Sequence, residues 1–235
     1  MPDQVQPSVI APSFIVFDVN ETLLDLSGLE PLFVRLFGEA RALQDWFNQL
    51  LLYAQSVTLA GLYVAFPQLG AGTLRMLGET RGIAIETSDL NELRARMRDL
   101  APHDDVVPAL QRLRGAGLRL VTLSNSAPDP QGGPLERSGL DVHFERMFSV
   151  DAVHRYKPAP ETYRHVAAAL DVAPGELCLV AAHGWDTIGA QAAGWMAALV
   201  QRPGHAALRL PGVPQPEIVS NGLSGVADQI IRRRL

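Results

Sequence analysis

Cysteine is nearly missing from this chain: Cys178, within "ELCLVAA", is the single one in 235 residues. A lone thiol forms no intramolecular disulfide, which fits a reducing compartment. In an apolar run it reads as a small buried hydrophobe, not a nucleophile. Charge is sparse too. Charged residues make up 19% of the chain, the net charge is −5, and neither sign forms a long run. Nucleic acid and acidic membranes select basic surfaces, so neither is expected as a partner. The three arginines at 232–234 read as the solvated C-terminal end of a helix, where cations are favoured. Apolar runs stop well short of the ~20 residues that span a bilayer. The N-terminus has no basic stretch ahead of an apolar core, as a secretory signal would. A soluble, cytoplasmic protein is expected.

What the chain does have is apolar bulk, 47% of its residues. That supports a substantial core in one large α/β domain, or in a domain carrying an insertion. Residues 1–12 are polar and proline-containing and read as a loose tail. "FIVF" running into Asp18 reads as a short strand buried on both faces. From about 27 to 100 the apolar spacing turns helical, through "LEPLFVRLFG", "EARALQDWFNQLLLYAQSVTLAG", "QLGAGTLRMLGETRG" and "SDLNELRARMRDL". Gly38, Gly61 and Gly82 stand at plausible helix ends, and Ser88 is expected to cap the last helix of the block. After Pro102, strands ("LRLVTLS", "ERMFSV", "LCLVAA", "MAALV", "EIVS") alternate with helical segments. Such alternation predicts a mostly parallel sheet covered on both faces. No internal repeat or low-complexity tract is visible. The expected fold is α/β: a doubly wound core of residues 1–26 and 101–235, with an all-helical cap of residues 27–100. An insertion after the first strand sits above the carboxyl end of the sheet, where open α/β folds bind ligands.

Polar groups follow strand after strand. Asp18 ends the first, Ser124-Asn125 the second, Lys157 follows the third, and His183, Trp185 and Asp186 follow "LCLVAA". Singly, each has a plainer reading as a turn residue, a helix N-terminal acid or a surface lysine. Together, at one rim, they predict a converging site.

These residues resemble the haloacid dehalogenase (HAD) superfamily over nearly the whole chain. The D-x-x-x-T motif runs from Asp18 to Thr22, a strand ends in Ser124-Asn125, and Lys157-Pro158 and Asp186 follow. "YKPAPETY" and "WDTIGA" resemble segments of the type II 2-haloacid dehalogenases. The resemblance implies a HAD-like core with a helical cap and attack by Asp18 on substrate, giving an aspartyl ester that water hydrolyses. It further implies that Thr22 and Ser124 hold Asp18 or the substrate, with Asn125 nearby. Lys157 would keep Asp18 ionised. Tyr163 would orient that lysine or the water, Asp186 would position or activate the water, and Trp185 would wall the pocket.

Asn20 bears on the reaction. Superfamily phosphatases carry a second acid there, to protonate a leaving alcohol. An amide has no such proton to give, whereas halide leaves as a stable anion. The leading expectation is therefore cleavage of a carbon–halogen bond in a small molecule, without metal or cofactor. The alternative is a phosphomonoester hydrolase with Mg²⁺ held by Asp18, a backbone carbonyl and Asp186; a third is a binding protein on the same scaffold. Three positions depart from the type II pattern, among them Ala181, which stands where that group has a serine. Alignment through Tyr53 puts Val57 where that group has a halide-facing arginine, with Trp46, Asn48, Gln49, Gln55, Arg35 or Arg41 as substitutes. His183 stands where the group has an amide; it reads as a substrate contact, an acid–base group or a packed histidine. The run Leu50–Leu52 with Tyr53 serves either the core of the cap or a homodimer contact.

Overall fold

A computed structural model describes residues 12–234; the expected N-terminal tail lies almost wholly outside them. Strand β1 (Phe14–Phe17) is buried along its entire length. It pairs in parallel with β2 (Arg119–Ser124) on one side and β4 (Leu177–Ala181) on the other. Strands β3 (Arg146–Ser149), β5 (Met196–Val200) and β6 (Ile218–Ser220) complete a six-stranded parallel sheet of order β3-β2-β1-β4-β5-β6. The chain first steps outward from β1 through β2 to β3, then returns to the far side of β1 with β4. The crevice for a ligand opens at that reversal, beyond the carboxyl ends of β1 and its neighbours. Apolar residues on both faces of β1 and β4 explain why these strands read as continuous hydrophobic runs.

Between β1 and the rest of the sheet stand α1 (Glu30–Phe37), α2 (Arg41–Leu59), α3 (Phe66–Thr80) and α4 (Thr87–Arg98). The three expected glycines follow helix ends with left-handed φ of 77°, 74° and 67° at Gly38, Gly61 and Gly82, which glycine adopts without steric cost. The start of α4 differs from expectation. Asp89 accepts the backbone N–H of Glu86 at 2.8 Å, so the helix begins earlier and exposed Ser88 lies inside its first turn. The packed face of the block is aromatic. Trp46 lies 5.3 Å from Phe33 and 6.1 Å from Phe47, ring to ring, and donates its indole N–H to the Gly70 carbonyl at 3.0 Å. Leu50 is buried with this cluster, whereas Leu52 and Tyr53 face outward at 53% and 42% exposure.

On the sheet's flanks lie α5 (Val106–Gly115), the short α6 (Pro134–Arg137), α7 (Pro160–Leu170), α8 (Gly184–Ala192) and α9 (Leu223–Arg234). Arg232 and Arg233 are exposed at the end of α9, as expected. Cys178 is fully buried in β4, and burial pushes its thiol up to about 12. Among the described residues no helix is long and apolar enough to cross a membrane.

Candidate active site

Lys157 is the only lysine in the chain, and it is 1% exposed. Its ammonium donates to Asp18 Oδ1 at 2.7 Å, Asp186 Oδ2 at 2.6 Å and the Leu123 carbonyl at 3.0 Å. Those three acceptors match its three protons, so the charge is paired and its hydrogen bonds are met despite burial. The segment carrying it is held from both sides. Asn125 Oδ1 accepts the Lys157 N–H at 3.2 Å. Its neighbour Tyr156 donates from N–H to Thr58 Oγ1 at 3.0 Å and from its hydroxyl to the Val64 carbonyl at 2.6 Å.

Burial pushes the Lys157 ammonium down, but the charges of Asp18 and Asp186 raise it further still, so it stays a cation. Burial likewise pushes Asp18 up, and Lys157's charge with the His183 hydrogen bond outweighs it, holding this carboxyl well below the usual carboxylate range. For Asp186 burial raises the carboxyl and the charge of neighbouring Asp18 adds to it, together outweighing the lowering by Lys157 and Tyr163.

The second oxygen of each acid is also engaged. Thr22 Oγ1 donates to Asp18 Oδ2 at 2.7 Å and accepts the Ala182 N–H at 2.8 Å, tying the loop after β1 to the end of β4. The Tyr163 hydroxyl donates to Asp186 Oδ1 at 2.6 Å. Gly189 permits this approach: a Cβ there would come within 2.5 Å of the Tyr163 hydroxyl and 2.6 Å of Pro158 Cβ. Tyr163 thus holds Asp186, the acid that in turn holds the lysine.

A second cluster adjoins the first. His183 sits at the N-cap of α8, 6% exposed, with Nδ1 3.3 Å from Asp18 Oδ2 and Nε2 2.8 Å from Glu21 Oε2. Trp185 stacks on its ring at 5.0 Å and Phe47 approaches from α2 at 6.1 Å. Burial pushes this imidazole down, but the hydrogen bonds and charges of Asp18 and Glu21 reverse that and raise it to about 9. Glu21 in turn, though burial pushes it up, is lowered to about 2 by His183 and His205. Sequence reasoning missed both Glu21 and His205. Glu21 has φ of 61°, a strained region for a side chain of this size. His205 belongs to the loop after β5. Arg202 anchors that loop by donating to the Thr22 carbonyl at 2.8 Å and to Asp105 at 3.0 Å.

Other expected residues fall nearby with different duties. Ser124 Oγ accepts the Ser126 N–H at 3.0 Å, a turn contact. Asn20, 7% exposed, lines a cavity of about 270 Å³ with Trp46, Leu50, Phe66 and Ser126. From α2 the ring that meets His183 is Phe47, and Val57 lies ten residues, or ~15 Å of helix, farther along. Phe47, not Val57, therefore stands beside the reacting groups. Arg35 pairs with Asp89 and Glu92, each at 2.8 Å, Asn48 with Gln44, and Arg41 is exposed. None of these supplies a cation to Asp18. The residues do not fit the Mg²⁺ alternative either. Both Asp186 oxygens are occupied, by Lys157 and Tyr163, and the lysine ammonium fills the space between the two acids. Mg²⁺ requires a near-octahedral oxygen shell.

The family model for haloacid dehalogenase-like hydrolases matches residues 13–194. The chain is 32% identical to (S)-2-haloacid dehalogenase 1 of Pseudomonas sp. (strain CBS-3) over 80% of its length and 83% of that protein's. It is 31% identical to an (S)-2-haloacid dehalogenase of Xanthobacter autotrophicus, covering 83% of this chain and 77% of the relative. Among solved structures, the L-2-haloacid dehalogenase from Xanthobacter autotrophicus with chloropropionic acid covalently bound superposes with a TM-score of 0.84. The identity there is 26%, over 93% of this chain and 98% of that one.

Proposed function

The chain belongs to the haloacid dehalogenase-like hydrolases, and from that premise we propose how it cleaves the carbon–halogen bond of a short 2-halo acid. The observation that carries the reading is an ionised, buried Asp18 with a lysine on one oxygen and an imidazole beside the other. Oδ1, held by Lys157 alone among the described residues, attacks the halogen-bearing carbon. A C–O bond forms, the C–X bond breaks, and halide departs with the bonding pair. Lys157 and Thr22 orient the nucleophile and steady the charge that moves off it. The aromatic wall of Phe47 and Trp46, with the Asn20 amide as donor, receives the halide in place of an arginine.

Water then attacks the ester carbonyl. Asp186, with both oxygens held, serves to fix Lys157. The base is His183, with Nδ1 toward Asp18 and Nε2–H donated to Glu21, which sets the tautomer. The same arrangement of nucleophile, base and orienting acid recurs in unrelated hydrolases. One water proton passes to Nδ1 and is then given by the imidazolium to the departing alkoxide oxygen; the second is released as the Asp18 carboxyl ionises, the water oxygen stays in that carboxylate, and the 2-hydroxy acid leaves. Residues 27–100 act as the cap that closes over this chemistry. The outward face of α2 supports a homodimer, and a cytoplasmic setting suits the single thiol.

A halide-release screen over short 2-halo acids, with and without EDTA and with Asp18→Ala as blank, tests the activity. A single turnover in ¹⁸O water followed by mass spectrometry tests the route. Label is expected in the Asp18 carboxylate. Label found only in the product after one turnover would sink the ester mechanism.

A further inference from the structure

Glu21, His183 and His205 offer one donor atom each, and the three atoms lie within 4.8 Å of one another. The two imidazole nitrogens, both Nε2, point at the same carboxylate oxygen. His183 is 2.8 Å and His205 3.3 Å from Glu21 Oε2. We propose that these residues form a binding site for one borderline divalent transition metal of the Zn²⁺ class, directly beside the nucleophile.

Three features support a ligand set over a chance meeting of side chains. The donor types are right: two imidazoles and one carboxylate suit Zn²⁺ and its neighbours and are a poor match for Mg²⁺ or Ca²⁺. Bonds of ~2.0–2.2 Å ask only that the three donors spread around a shared centre. The second nitrogen of each ring is held as a metal-binding histidine's usually is, facing an acceptor that fixes its tautomer. His183 Nδ1 faces Asp18 Oδ2 at 3.3 Å, and His205 Nδ1 faces the Pro203 carbonyl at 3.2 Å. The rings stand nearly perpendicular, 82° apart with centroids at 5.1 Å, so both nitrogens reach one point without stacking. Finally, a cavity of about 280 Å³ borders Glu21 and His205. It gives an ion a way in and leaves room for a solvent ligand in the fourth position.

Glu21 is fixed for this duty. Its left-handed backbone is held by its own N–H, donated to the Leu24 carbonyl at 2.9 Å, and by its carbonyl, 3.2 Å from His103 Nε2. A seated metal would occupy His183 Nε2 and keep a proton on Nδ1. On the reading that His183 is the base, which this consequence rests on, the metal stops the reaction at the ester. The ion is therefore a reversible inhibitor, not a cofactor.

Isothermal titration of the full-length, EDTA-stripped protein with Zn²⁺ tests the site, and Co²⁺ absorption reports its coordination. One ion per chain is expected, with the four-coordinate visible bands of Co²⁺. Binding should weaken at least tenfold in His205→Ala and in Glu21→Gln. His205→Gln, which keeps the side-chain bulk, guards against a folding defect, with circular dichroism as the check. A stoichiometry other than one, or wild-type affinity in folded His205→Gln and Glu21→Gln, would overturn the site. A separate arm reads halide release with Zn²⁺ saturating. The expected result is one equivalent of halide per chain, then arrest, with turnover restored by EDTA. Full turnover with the metal seated would overturn the inhibitory consequence and the role of His183 as base, while leaving the site itself standing.

Discussion

Replacing Glu21 by glutamine separates the two half-reactions. The substitution leaves Asp18, Lys157 and Thr22 untouched, so displacement of halide should proceed. What changes is the partner of His183 Nε2, 2.8 Å away. A carboxylate can only accept there, which places the proton on Nε2 and leaves Nδ1 free to take one from water. A glutamine amide can donate instead, and the imidazole then carries its proton on Nδ1, facing Asp18, in the wrong tautomer. Loss of a positioned general base costs ~10²–10⁴-fold in rate, or about 3–5 kcal/mol of barrier. Rapid-quench halide measurements should show a burst of one halide per chain, followed by a steady rate lower by ~10²-fold or more. Intact mass spectrometry during that steady state should find the protein carrying the substrate's carboxyalkyl fragment, and peptide mapping should place it on Asp18. Wild-type turnover, or loss of the burst together with the steady rate, refutes the assignment of Glu21 and His183 to the hydrolytic step.

Further consequences follow from the same contacts. Lys157→Met leaves two buried carboxylates without their shared cation, and stability in urea should fall by ~3–5 kcal/mol, the usual cost of breaking a buried pair from one side; halide release should vanish with it. Gly189→Ala drives a methyl into Tyr163 and Pro158, so overpacking of ~1–3 kcal/mol should appear as a lowered melting temperature with reduced activity. The folded-state pKa of His183, about 9, lies above its ordinary 6.5. Its contribution, roughly 3 kcal/mol, is full below pH 6.5 and lost as pH rises to 9. Urea unfolding across that window should show the decline in wild type and not in His183→Asn. Leu52 and Leu59 stand 53% and 89% exposed on α2; light scattering should give twice the chain mass for wild type and a single chain mass for Leu52→Glu/Leu59→Glu.

The core of the site was legible because strand chemistry is local. A buried apolar run that ends on a charged or amide residue places that residue at the rim of a parallel sheet, whichever helices follow. That logic points to Asp18, Lys157 and Asp186, and the three do meet at one ammonium. Errors arose where the answer depends on helix phase or on loops. Alignment through Tyr53 fixes a position along α2 but not which turn of it lies over the sheet, and the ring that meets His183 is Phe47, ten residues before Val57. Ser88 has the residue type of a cap, but the reciprocal contact between residues 86 and 89 places the helix start before it. Glu21 and His205 were beyond reach of spacing arguments. Their meeting requires a left-handed backbone at a glutamate and a loop pinned by Arg202 more than 180 residues later in sequence. The one available hint was a histidine in a proline- and glycine-rich loop.

The electrostatics also order the two steps in time. Before substrate reacts, His183 is flanked by two anions, Asp18 and Glu21, and holds its proton up to about pH 9. In that state it is no base, and it cannot deliver hydroxide to a substrate that has yet to be captured. Formation of the ester removes the charge of Asp18. Of the forces on His183, the burial that favours its neutral form remains, and one of the two anions opposing it is gone. Ester formation therefore lowers the proton affinity of His183, the direction that its proposed role as base requires. Lys157 is spared the same fate because Asp186 and the Leu123 carbonyl still hold it. Asp186, fully buried with both oxygens held, is well suited to keeping the lysine charged through both halves of the proposed cycle.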